Sequence, residues 1–230
     1  NGFAAVSHIG SILAVVAALI VVPTSHNSWS FVATEYYNDS GFDMPIYVVA
    51  TGLTGAFYAF SGYEASAHLA EETSGSLDEA PKGMVRTVQA TAVGGLAILL
   101  AMLFATTKIS DALGGGSVDT GSVSINVFVL ATGSTWGASL AWLVVFNFFF
   151  GGLASVSVTG RITFALARDN AFPCSESLAK THPTLHSPVN SLLFVAAIDS
   201  VILLLPLCGD GGETAFYAIV NLCTLGFQIS

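Results

Sequence analysis

Residues Thr51 to Glu72 read TGLTGAFYAFSGYEASAHLAEE, an apolar run interrupted by polar and ionisable residues. It opens with the small and apolar residues of a bilayer-crossing helix. It then carries a glycine, a carboxylate and an imidazole at a depth where none is cheap. An ionisable side chain in hydrocarbon costs several kcal/mol unless it faces protein or a water-filled cavity, so Glu64 is the leading functional candidate. Gly62 beside it weakens a helix by about 1 kcal/mol relative to alanine and admits backbone angles that a substituted residue resists. A break over Phe60 to Glu64 is the expected consequence. The alternative is a continuous helix with a protonated, hydrogen-bonded Glu64 and a packing glycine.

An opening there ends the first half-helix with free carbonyls of partial negative charge and starts the second with free N–H groups of partial positive charge. Carbonyls near Ala59 and Phe60 then accept an ammonium group, while Ser61 and Tyr63 supply hydroxyl or aromatic lining around Gly62. His68 follows Glu64 at i+4, so the two side chains share a face and are placed to exchange a proton.

The surrounding composition fixes the solvent. Across 230 residues 53% are hydrophobic and only 9% charged, against roughly a quarter charged in soluble domains. An ordinary soluble enzyme is excluded. Sixteen Phe, three Trp and six Tyr also exclude a disordered polar chain. Six Lys and Arg against 15 Asp and Glu leave no basic field for nucleic acid. Cys174, Cys208 and Cys223 have neither CxxC nor metal-ligand spacing with the five histidines, so no metal and no cofactor is expected.

About 20 apolar residues cross about 30 Å of hydrocarbon, and such stretches recur. The expected spans are about 3–22, 46–68, 85–107, 136–159, 188–207 and 214–230, forming a single transmembrane domain, the last span truncated. Without an initiator Met or a polar exit at Ser230, the chain reads as an internal piece of a longer protein. Lys82, Arg86, Arg161, Arg168 and Lys180 fall in loops of one side and only Lys108 in a loop of the other, which places the first five in the cytoplasm. The sequon Asn38-Asp39-Ser40 then lies outside, a candidate for glycosylation. The stretch Ala112 to Gly121, with its triple glycine, lacks the Gly-Lys-Ser/Thr of a phosphate loop and is expected to be a flexible external connection.

Two signatures carry a resemblance. FSGYEASAHLAEET (60–73) followed by APKGM (80–84), and GLASVSVTGRITFALARDNAFP (152–173) followed by SPVNSLL (187–193), are similar to the sixth, eighth and ninth helices of amino-acid permeases. The superfamily is the amino acid-polyamine-organocation (APC) transporters. The branch resembled is the amino acid/choline transporters, which include fungal GABA and choline permeases and plant bidirectional amino-acid transporters. The resemblance covers nearly the whole chain. It implies an all-α polytopic membrane protein, here helices five to ten of about twelve, in a fold of two inverted five-helix repeats with helices one and six broken.

It further implies secondary active transport of an amino acid or related amine, with GABA, choline, neutral and basic amino acids all open. The carbonyls around Phe60 to Gly62 meet the substrate's amine, and Glu64 lies on the inner side, where proton coupling or gating is often placed. Coupling to H+ or exchange is the expected drive. The glycine-rich break of helix one lies outside these residues, so this piece alone is not expected to transport. A membrane scaffold or nutrient sensor of the same fold, without flux, is the alternative. The membrane of residence is the plasma membrane or an endomembrane such as the vacuole.

Under the same resemblance Ser155, Ser157 and Thr159 stand near the place where sodium-coupled relatives hold an ion, although hydroxyls that satisfy a helix carbonyl are commoner. Glu71 and Glu72 share the cytoplasmic side with Arg161 and Arg168, an arrangement that reads equally as an inner gate or as solvated end charges. Asp199 is a second intramembrane carboxylate in need of a partner.

Overall fold

The computed structural model describes residues 2–38, 41–70, 75–116, 118–171 and 174–229. Every regular element among the described residues is helical: α1 (Gly2–Val21), α2 (Trp29–Thr34), α3 (Pro45–Ala59), α4 (Ala65–His68), α5 (Ser76–Ala105), α6 (Val123–Thr132), α7 (Ser134–Arg168), α8 (Ser175–Leu178), α9 (Val189–Leu204) and α10 (Asp210–Ile229), with a π-helical turn at Asp111–Gly115 and a 3-10 turn at Leu205–Cys208. Among the described residues four helices are long and apolar enough to cross a bilayer, namely Gly2–Val21, Ser76–Ala105, Ser134–Arg168 and Val189–Cys208. The chain is an all-α polytopic membrane protein with a discontinuous helix.

The chain divides into two compact units, Asn1–Gly41 with Ala90–Gly151, and Phe42–Gln89 with Gly152–Ser230. In the first, α1 buries only Ser11, Val15 and Leu19, one stripe at i, i+4, i+8. Phe3, Val6, Ile9, Leu13 and Ile20 are exposed on its other faces. A helix apolar all round yet buried along a single stripe suits lipid rather than water. Val15 and Leu19 pack with Ala101, Ala105, Phe128 and Leu140 into the core. Polar groups join helices here: Asn147 donates to Ser11 Oγ at 2.7 Å. Asn27 closes the C-terminal end of α5, its N–H donating to Phe104 O at 2.8 Å and its Nδ2 to Leu103 O at 2.9 Å and to Thr106 O. Those are carbonyls the helix itself leaves unsatisfied.

The connection expected to be flexible is organised instead. Asn126, 1% exposed, donates from Nδ2 to Ala112 O at 3.1 Å and accepts from Thr120 N and Oγ1 at 2.9 and 2.7 Å. This amide ties the π-helical turn and the segment after the glycines to α6, a helix absent from the expectation. Replacing Asn126 with alanine strips partners from Ala112 O, at about 1–3 kcal/mol for a buried group left unpaired. A lower thermal midpoint for the full-length protein in detergent is the expected outcome, and an unchanged one would show the network to be dispensable.

In the second unit, Gly160 of α7 meets α9 closely: a Cβ built on it would stand 2.5 Å from Leu192 Cδ2 and 3.3 Å from Leu192 Cα. α7 runs two turns beyond its expected end, so Arg161 and Arg168 sit on a helix and not in a loop. It stops where Asn170 takes φ 58°, with Asn170 N–H on Ala167 O at 3.0 Å and Ala171 N–H on Leu166 O at 2.9 Å. That pairing, with Asn tolerating the left-handed position, is a common helix terminus. Ser191, fully buried, donates to Leu178 O at 2.8 Å and anchors α8 to α9.

Candidate functional site

The break expected from Gly62 is present. α3 starts with Pro45 at its first position, where a missing N–H costs nothing, and ends at Ala59. Phe60 N–H turns to Phe57 O at 3.2 Å and Ser61 N–H to Tyr58 O at 3.1 Å, tightening the last turn to i→i−3. Gly62 then takes φ +92°, a conformation that costs side-chain-bearing residues dearly. The chain re-enters helix with Ala65 N–H on Gly62 O at 3.2 Å, and Ala67 and His68 N–H on Glu64 O at 2.8 and 3.2 Å. Residues 60–64 run as turns and not as regular helix, and the carbonyls of Ala59, Phe60 and Ser61 receive no well-formed backbone hydrogen bond from any described residue, nor do the N–H groups of Gly62, Tyr63 and Glu64 donate one.

Glu64 ends this opening. Its Oε2 is buried, and it alone among the buried side-chain N and O atoms of the described residues lacks a hydrogen-bond partner. His68 stands one turn on and is exposed. No hydrogen bond or ion pair joins the two side chains, although their backbones are linked through Glu64 O. Ser61 Oγ donates to Phe57 O at 3.3 Å, and Tyr63 is half-buried.

A cavity of ≈ 400 Å³ opens along α3 just before the break. It is lined by Thr54, Gly55 and Tyr58 of α3 and by Phe216, Tyr217, Val220 and Asn221 of α10. Thr54 and Tyr58 share a face at i and i+4, and Tyr58 directly precedes the first bared carbonyl. The α10 residues were not singled out from sequence, because an aromatic pair in an apolar run reads the same whether it faces lipid or a cavity.

The remaining candidates are scattered. Ser155 and Thr159 lie exposed on one face of α7, while Ser157, two residues along a helix of 3.6 per turn, points the opposite way. The three hydroxyls therefore do not converge. Arg161 is half-buried, and Arg168 Nε lies 3.8 Å from Asp169 Oδ1. Glu71 and Glu72 fall outside the described residues, as do Asp39 and Ser40 of the sequon, whose Asn38 is exposed. Asp199 is half-buried on α9, and no hydrogen bond or ion pair engages it among the described residues.

With this geometry in hand, similarity to known proteins is informative. The "Amino acid permease" family pattern matches residues 2–230. The chain is 28% identical over 230 residues to "Amino-acid permease BAT1" of Arabidopsis thaliana, covering 96% of this chain and 44% of that protein. It is 28% identical over 235 residues to "Amino-acid permease BAT1 homolog" of Oryza sativa subsp. japonica (99% and 44%), and 26% identical over 209 residues to "Choline transporter" of Saccharomyces cerevisiae (89% and 36%). The chain thus spans less than half the length of these relatives. No solved structure matches it. Membrane-length apolar helices and a full-length family match together make this an integral membrane protein, and the chain belongs to the amino acid permease family.

Proposed function

We propose that the protein carrying this chain is a secondary active transporter of an amino acid or a related amine, working by alternating access around the opening between α3 and α4. The observation that carries the reading is the coincidence, within six residues, of three carbonyls released from well-formed helical bonding and a buried carboxylate oxygen without a partner. Irregular backbone at membrane depth is tolerated only where it is buried in protein or lines a cavity, and broken helices near the bilayer midplane are how such transporters hold ligands and ions. Ala59, Phe60 and Ser61 offer carbonyls to an ammonium group, Gly62 permits the opening, and Tyr58 and Tyr63 flank it. Glu64, with His68 one turn behind, carries the coupling proton.

Arg161 and Arg168 supply the basic side of an inner gate whose acidic side is Glu71 and Glu72. Asn38 is glycosylated if its loop is extracellular. The relatives named for amino acids and for choline support an amine-bearing substrate.

The test is uptake of labelled GABA, choline, and neutral and basic amino acids by full-length protein in liposomes under an inward acid gradient. Accumulation above equilibrium for at least one of them, abolished by a protonophore, is expected. Binding with neither accumulation nor exchange into preloaded vesicles, for every one, overturns transport in favour of a sensor or scaffold.

A further inference from the structure

Gly83 of α5 lies against the inner half of the broken helix. A Cβ built on Gly83 would stand 2.7 Å from Ser66 Oγ and 3.1 Å from Ser66 Cβ, distances at which one of the two must move. The contact is a feature of α5's small face: Ala80, one turn earlier, is buried. α4 has only four residues, and its internal bonds run back to Glu64 O from Ala67 and His68 N–H at 2.8 and 3.2 Å. A backbone shift at Ser66 is therefore passed to Glu64, two residues away in the same short turn. On α3 the glycines make no such approach, for Cβ atoms built on Gly52 and Gly55 meet nothing within 4 Å.

We propose that Gly83 is a positioning residue for the transport site: by having no side chain it lets α5 close on Ser66, and this contact sets where Glu64 and the bared carbonyls stand. The inference rests on the transport reading above. Thiols at both positions are close enough to bridge, since a disulfide needs Cβ atoms about 3.5–4.5 Å apart and a shift of a few tenths of an ångström reaches that range.

The experiment uses full-length protein in liposomes. First, Ser66→Cys/Gly83→Cys is oxidised beside each single variant, and an intramolecular cross-link only in the pair is expected. Second, uptake kinetics are compared for the parent, Gly83→Val and Gly83→Val/Ser66→Gly at equal amounts of folded protein. Misplacing reacting or binding groups by about an ångström costs up to about a hundredfold, so Gly83→Val is expected to raise the KM about tenfold or more. The second substitution, which clears the space the valine enters, should restore KM to within about twofold of the parent on the same argument.

No cross-link overturns the proposal. So does a Gly83→Val protein with parental KM, or one whose loss is confined to Vmax and is not rescued. If the parent itself takes up none of the substrates, the transport reading fails and the positioning role fails with it. Parental uptake unaffected by Gly83→Val sinks the positioning role alone.

Discussion

Replacing Gly62 with alanine in the full-length protein will cut substrate affinity by one to two orders of magnitude without unfolding it. Gly62 holds φ +92°, and a residue with a side chain in such a region costs of order 1–3 kcal/mol, or about ten- to a hundredfold in a binding constant. The added methyl meets no atom within 4 Å, so the substitution acts on the backbone and not through a clash. The strain is relieved by return towards helix, which brings Tyr63 and Glu64 N–H back onto the carbonyls of Ala59 and Phe60 and occupies the groups offered to the ammonium. Gly52→Ala is the matched control. It too has open space, but it lies inside α3, where alanine is favoured over glycine by about 0.5–1 kcal/mol, so affinity should hold. Equal affinity in the two variants would show that the opening is not the binding element.

The second large effect is at Glu64. With one proton per substrate, each unit of pH difference across the membrane drives about tenfold accumulation. Glu64→Gln is expected to reduce that to simple equilibration, while exchange of substrate between preloaded vesicles continues. An amide is cheaper to hold than a carboxylate where a buried oxygen has no partner, so the variant should be at least as stable as the parent. Lost coupling therefore cannot be ascribed to misfolding. Accumulation that still tracks the pH gradient would remove Glu64 from the coupling path and leave it a packing residue.

The break could be read from sequence because its cause is local. A glycine beside a carboxylate in an apolar run is a conflict that only an opening or a partner resolves. The long helices were legible for the same reason, as lipid demands continuous apolar residues. What escaped depends on distant pairings. α6 is an apolar run of ten residues, too short for a span, and its Asn126 is affordable only because Thr120 and Ala112 converge on it through a connection that looks flexible. The two extra turns of α7 follow from a helix terminus at Asn170 and carry Arg161 and Arg168 onto regular structure. The ion site at Ser155, Ser157 and Thr159 was implied by resemblance alone, and residues two apart on a helix of 3.6 per turn do not share a face. Ser66 and Gly83 are unremarkable as letters; only their approach gives them meaning. The α10 wall of the cavity, Phe216 to Asn221, was likewise invisible until α10 was laid beside α3.

The most direct measurement is a density map of the full-length protein with bound substrate, at a resolution that shows main-chain carbonyls. For a substrate with a protonated amine, the ligand nitrogen should lie within hydrogen-bonding distance, about 2.7–3.2 Å, of at least one carbonyl oxygen from Ala59 to Ser61, with Gly62 at positive φ. Regular i→i−4 bonding through residues 59–65, with the amine held elsewhere, would contradict the account.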